Sequence, residues 1–222
     1  LAVQIRKNIL RAIASKGTGH VGGSLSIADA LAVLYGSVMN IDPADPGKSD
    51  RDYLVLSKGH CGPAVYAALA AKGYFDENIL DTLNQNDTIL PSHTDRSKTP
   101  GVDMTTGSLG QGASLAAGAA FADKLAGREN YTYLILGDGE LNEGQVWEAM
   151  LFAAHQRLNH MITLVDANGK QLDGTTDEIC CLGCIEDKFK SFGFKVISVE
   201  NGNDTEEIFF ALEQAKQEQK KP

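Results

Sequence analysis

No run of apolar residues in this chain is long enough to cross a bilayer, because Gly and charged residues interrupt each one. Positive charge is also in short supply. The 20 Lys and Arg residues stand against 29 Asp and Glu, for a formal net charge of -9. That balance argues against a nucleic-acid or anionic-membrane surface, since both need clustered positive charge; a small local phosphate pocket stays open. A signal-peptide layout is missing too. The stretch LAVQIRKNILRAIASKG alternates apolar and basic residues at helical spacing and reads as an amphipathic surface helix, so the expected location is the cytoplasm. There is no internal repeat and no low-complexity segment. Only four cysteines occur, Cys61, Cys180, Cys181 and Cys184. Cys181-x-x-Cys184 has the spacing of a metal or redox pair, but no second Cys/His pair accompanies it and a structural zinc site needs four ligands. Incidental thiols are the expectation. Finally, no strand-like run leads into G-x-G-x-x-G with a following acidic residue, which argues against a nicotinamide dinucleotide fold.

What is present is ample apolar content, 43% of 222 residues with 22% charged, enough for one large domain. The expected first helix covers about residues 2–16 and stops at Lys16-Gly17. The loop GTGHVGGS follows, and Ser26 is placed to cap a second helix, IADALAVLYGSVM. A polar turn region, NIDPADPGKSDRD, leads into a buried strand, YLVLS, and then a helix beginning near His60. Residues 84–110 form a long irregular region, of the kind that is functional or disordered. An Ala-rich helix spans about 111–126. From there the pattern is regular: strand YTYLIL, helix EGQVWEAMLFAAHQRL, strand MITLVD, helix IEDKFKSFG, strand FKVISV and helix DTEEIFFALEQAKQEQ. Apolar strands alternating with amphipathic helices predict an α/β fold, doubly wound, with a mainly parallel sheet covered by helices on both faces.

Such sheets bind ligands at the carboxyl ends of their strands. Two of those ends carry oxygen-bearing residues. Asp138 lies between Gly137 and Gly139 directly after one strand, and Asp166-Ala167-Asn168 ends the next. Glycine lets a backbone approach a ligand closely, and the carboxylate and amide oxygens are hard donors suited to Mg²⁺ together with phosphates. Each half alone also reads as an ordinary tight turn, an Asp-capped GDG and an Asn-Gly pair.

GDGELNEGQVWEA followed by LVDANGKQLDG closely resembles the thiamine-diphosphate motif of the transketolase family. Further blocks fall in family order: GHVGGSLS, LSKGH, PSH and TPGVDMTTGSLGQG. The resemblance implies the thiamine-diphosphate-binding fold over residues 1–222, as one diphosphate-side domain truncated at its C-terminal end. It implies Mg²⁺ ligands in Asp138, Asn168 and the main-chain carbonyl of Lys170. It places cofactor contacts at His60, Gly107, Leu109, Gly139 and Asn168. His20, His60 and His93 take catalytic roles, bonding to substrate hydroxyls or cofactor and moving protons, whereas His155 and His160 match no block and read as structural. Glu143 resembles a glutamate near the subunit interface that couples the active sites, though a first-turn helix glutamate favoured by the macrodipole accounts for it nearly as well.

The implied activity is that of a transketolase in pentose phosphate metabolism, moving a two-carbon glycolaldehyde unit from a ketose phosphate to an aldose phosphate. Family members carry the glutamate that activates the cofactor's pyrimidine ring on a second domain. The resemblance leaves two readings, the N-terminal subunit of a split bacterial transketolase or a fragment of a longer polypeptide, and the size favours the subunit. It would be active only with a pyrimidine-binding C-terminal subunit, in a heterotetrameric dimer of heterodimers. Rival readings are a 1-deoxyxylulose-5-phosphate synthase-like enzyme and a non-catalytic partner module that retains the fold. Departures from the family pattern are GHVGG for GHPG, Ser108 where some members have Pro, Lys170 where an apolar residue is frequent, and the CCLGC stretch.

Overall fold

In the structure, a computed structural model describing residues 1–222, three parallel strands lie side by side in chain order: β1 (Tyr53–Leu56), β2 (Thr132–Gly137) and β3 (Met161–Asp166). Leu56 stands opposite Ile135, and Gly137 opposite Asp166, so all three carboxyl ends open on one rim. The strands are near-continuous apolar runs because both faces are buried. One face carries α1 (Ala2–Lys16), α3 (Ala28–Val33), α4 (Gly62–Lys72) and α9 (Thr205–Lys216), packed on Leu54, Leu56, Tyr133, Ile135 and Ile162. The other carries α5 (Gln111–Leu125), α6 (Gly144–His155) and α8 (Ile185–Ser191), packed on Val55, Leu134, Leu136 and Met161. The doubly wound α/β expectation is met. No helix is long and apolar enough to cross a membrane.

Two local expectations fail, and one stretch holds elements that the sequence does not announce. The segment IADALAVLYGSVM is not one helix capped by Ser26. Instead α2 (Val21–Ser26) ends at Ser26, Ile27 breaks the run, and α3 passes into a wider π turn at Leu34–Val38. The Ser26 hydroxyl is drawn away from capping because it donates to Asp166 at 2.5 Å. FKVISV forms no strand. A cleft of about 730 Å³, lined by Ile162 and Leu164 on one wall and Val196 and Val199 on the other, separates it from the outer edge of β3; a strand without a ladder partner has no way to satisfy its backbone. A small hairpin, β4 (Lys170–Gln171) with β5 (Gly174–Thr175), and the short α7 (Thr176–Cys180) occupy a stretch for which the sequence predicts no element.

The long region 84–110 is ordered by buried threonines and an aspartate. Thr106 donates to the Leu56 carbonyl at 2.6 Å and lies 2.7 Å from the Thr94 hydroxyl. Asp103 accepts the Leu54 N–H at 2.8 Å and pairs with Arg51 at 2.5 Å. These bonds fasten the loop to the carboxyl-end rim and to β1.

Candidate active site

The rim gathers two groups of side chains. The first is a set of three imidazoles. His20 precedes α2, His60 sits in the single turn between β1 and α4, and His93 lies in the long loop. The His20 ring is 5.1 Å from that of His60 and 6.4 Å from that of His93, centroid to centroid. Burial, helped by the neighbouring His20 and Lys58, lowers the His60 pKa to about 4, and burial beside His20 lowers that of His93. His60 is therefore neutral at physiological pH, able to accept a proton on one nitrogen and donate from the other. Gly107 belongs to the same place. A methyl group on it would sit 3.4 Å from the His93 ring, and one on Gly59 would come within 2.8 Å of the Gly107 nitrogen. Backbone touches backbone here, which leaves no room for larger residues. Leu109 follows, its carbonyl accepting from Gln145 at 2.9 Å.

The second group closes the ends of β2 and β3. Asp138 is buried, 3% exposed, and its carboxylate accepts the N–H of Gly139 at 2.8 Å and of Gly169 at 2.6 Å. No ion pair of the molecule includes it. Asn168 is exposed, with its amide oxygen accepting from the Lys170 N–H at 2.9 Å and its amide nitrogen donating to Asp166 at 3.1 Å. The donor set is all oxygen, which suits Mg²⁺; Asp52 and Glu140 are buried without an ion pair too, and what sets Asp138 apart is its place at the carboxyl end of β2, bonded to the turn that carries Asn168. These residues fit a Mg²⁺–diphosphate group. Asp166, which the sequence offers as a second carboxylate at this spot, is instead engaged by Lys58 at 2.5 Å. At Gly139 the N–H is already bonded to Asp138, and the Gln171 side chain fills the space where a Cβ would stand, 2.8 Å away.

Glu143 borders the 107–110 loop, where a methyl group on Gly110 would come within 2.9 Å of its Cβ. It is exposed at the N-terminus of α6 and makes no side-chain cap bond. The buried glutamate is Glu140, which no sequence pattern singles out. It accepts from the Ser57 hydroxyl at 2.5 Å, the Gly110 N–H at 2.7 Å and the Gly137 N–H at 3.2 Å, tying β1, the 107–110 loop and β2 together. Burial raises its pKa against those bonds. Lys58, 2% exposed, is a second buried charge absent from the sequence expectations. The rule that points to the ends of β2 and β3 applies equally to Ser57-Lys58 after β1, and finds both residues when extended to that strand. His155 is exposed on α6, and His160 stacks on Tyr131 with ring centroids 4.6 Å apart, both away from the rim. No group of three or more His, Cys, Asp or Glu side chains converges as a metal cluster, and Cys180, Cys181 and Cys184 are all exposed and form no disulfide.

Along residues 1–222 the chain matches the family described as transketolase, thiamine diphosphate binding domain. It is 56% identical over 98% of its length to a 6-deoxy-6-sulfo-D-fructose transketolase subunit of Clostridium sp. (strain MSTE9), covering 79% of that protein. It is 35% identical, again over 98%, to one subunit of an apulose-4-phosphate transketolase of Phocaeicola vulgatus, covering 76% of it. The transketolase structure from Leishmania mexicana superimposes with a TM-score of 0.96 at 36% identity. That match takes in all of this chain but only 35% of the other. The cofactor of this family is thiamine diphosphate, which transketolases use with Mg²⁺. The uncompensated carboxylate, the hard oxygen donors beside it and the match over every residue lead to one assignment: the chain belongs to the transketolase family, as its thiamine diphosphate-binding domain.

Proposed function

We propose that this chain is the diphosphate-binding subunit of a two-chain transketolase, moving a two-carbon glycolaldehyde unit from a donor ketose to an acceptor aldose. The observation that carries the reading is Asp138, a buried carboxylate with only backbone N–H partners, at the end of β2 beside Asn168. Asp138, the Asn168 amide oxygen and the Lys170 carbonyl would hold Mg²⁺. The backbones at Gly107, Leu109 and Gly139 would line the path of the cofactor. When bound, thiamine diphosphate supplies the nucleophilic carbon and the electron sink for carbon–carbon cleavage and formation.

The chain's own residues handle protons and orientation. His60, held neutral by burial, and His20 and His93 beside it face sugar hydroxyls, and exchange protons with oxygen as the carbonyl forms and disappears. The backbone packed tightly around Gly59 and Gly107 holds the loop against the His93 ring. Glu143, exposed at the head of α6, is assigned to the contact with a neighbouring protomer. Two relatives named as transketolase subunits support a partner chain. That partner would bring the pyrimidine-binding domain, in a cytoplasmic dimer of heterodimers.

The 56% identity to a subunit named for 6-deoxy-6-sulfo-D-fructose puts a sulfonated ketose beside the ketose phosphates as the donor to assay first. The test is co-purification with the adjacently encoded polypeptide, followed by transfer assays over these donors and several aldoses, with pyruvate as the control for a deoxyxylulose-phosphate synthase reaction. Transfer is expected from the two chains together and not from this one alone. Substantial turnover by the single chain would refute the subunit reading.

A further inference from the structure

Between the histidine group and the metal group lies a buried lysine with no part in the proposed proton transfers. Lys58 follows β1, yet its partner Asp166 ends β3, two strands away. The side chain reaches across the end of β2: a methyl group on Gly137 would touch its Cδ at 3.4 Å. Its ammonium then meets Asp166 Oδ2 at 2.5 Å and the Gly23 carbonyl at 3.2 Å, with Ser26 Oγ at 3.5 Å. The same carboxylate oxygen also accepts from the Ser26 hydroxyl at 2.5 Å and the Asn168 amide nitrogen at 3.1 Å. Three donors from three segments converge on one atom. An Asn amide is nearly symmetric in shape, and its two ends are told apart only by hydrogen bonding. With its nitrogen committed to Asp166, the Asn168 oxygen must point the other way, toward the Lys170 N–H, next along the chain to the Gly169 N–H that Asp138 accepts.

We propose that Lys58 and Asp166 are positioning residues: together they orient Asn168 to present its oxygen to Mg²⁺, and they tie that orientation to α2 through Ser26 and Gly23. Lys58 has a second effect on the same group. By neutralising Asp166 it keeps that carboxylate from competing with Asn168 for the ion. The proposal rests on the reading that Asn168 is a metal ligand. Partners standing behind metal ligands typically carry about a 10–100-fold effect on metal affinity.

The experiment uses the two-chain complex with thiamine diphosphate, titrated with Mn²⁺ and read by electron paramagnetic resonance, with urea unfolding in parallel. Asp166→Ala, which removes the acceptor that holds the Asn168 amide nitrogen, should weaken Mn²⁺ by about 10–100-fold. The double variant Lys58→Met/Asp166→Ala restores the local net charge but not the orientation, and should remain at least about 10-fold weak. Lys58→Arg, which keeps the ion pair, should stay close to wild type. A folded double variant that binds Mn²⁺ as the wild type does would overturn the proposal, because charge alone or structural support alone would then explain the network. If Asp166→Ala does not fold, Ser26→Ala removes one of the three donors with the pair intact. A several-fold loss of affinity is expected there, and none would equally overturn it. Wild-type complex that takes up no Mn²⁺ with thiamine diphosphate would instead refute the functional reading, and the proposal with it.

Discussion

Asp138 holds two backbone N–H groups as well as facing the expected ion, so its charge and its acceptor pattern are separable by substitution. In Asp138→Asn the amide NH₂ must confront the N–H of either Gly139 or Gly169, leaving a donor buried against a donor. We expect a loss of about 1–3 kcal/mol in urea unfolding, together with loss of Mg²⁺-dependent thiamine diphosphate binding by calorimetry. A variant with full stability and full binding would remove Asp138 from both roles. At His60 the relevant variable is pH. Its folded pKa is about 4, below the ordinary value of 6.5, so between those values the unfolded chain binds a proton that the folded chain does not. The stability linked to it is complete above about pH 6.5 and falls as pH drops toward 4. Asp52, Asp103 and Glu140, whose pKa values burial raises, push the other way near the lower end, so the wild type must be compared with His60→Gln. The wild-type urea midpoint minus that of His60→Gln should fall as pH drops from 6.5 to 4; a constant difference would contradict the assignment.

Among the elements, α5 shows local preference giving way to packing. Gly112 lies inside a helix, where Ala is normally the better residue. Here a Cβ would come within 2.6 Å of Ser57 Cα, Cβ and Oγ, at the end of β1 and beside the Glu140 bonds. Gly112→Ala should therefore cost about 1–3 kcal/mol rather than stabilise, as read from the denaturant midpoint. Much of this layout is legible in the sequence. Strands with continuous Val, Ile and Leu, such as TYLIL and MITLV, announce burial on both faces, and turn residues after them mark the binding rim. That rule finds Asp138 and Asn168. It does not find the Lys58–Asp166 pair or the role of Glu140, because their meaning lies in contacts spanning 108 and 83 residues. No local pattern encodes which donor a buried carboxylate will meet. Ser26 misleads for the same reason: a cap is a local device, and the distant Asp166 displaces it. The ordering of residues 84–110 depends on Thr94, Thr99, Asp103 and Thr106 finding buried partners, which composition alone cannot show.

Across the whole molecule, order is unevenly distributed. Helices cover both faces of the sheet, but its β3 edge stays open to the 730 Å³ cleft. Of residues 194–199, Phe194 and Lys195 have their backbone N–H groups bonded to other backbone, to Phe189 and Pro222, while those of Val196, Ile197, Ser198 and Val199 are not. Hydrogen exchange should read this directly. Amides of 196–199 should exchange by local opening, orders of magnitude faster than those of Leu134 and Ile135 in the central strand, which open with global unfolding. Equal protection would show that the segment pairs as a strand after all. Fast exchange there need not disturb the rim, since Asp138 is bonded to Gly169 and Asp166 to Lys58 at the carboxyl end of the sheet. Those bonds carry a consequence for the speed of assembly. Asp138 already staples the turns after β2 and β3 through two backbone N–H groups, so no loop has to fold around an arriving ion. On the metal-site reading proposed above, the slow event in capture would be the shedding of water by Mg²⁺, which dehydrates reluctantly, and the rate would belong to the ion rather than to the chain.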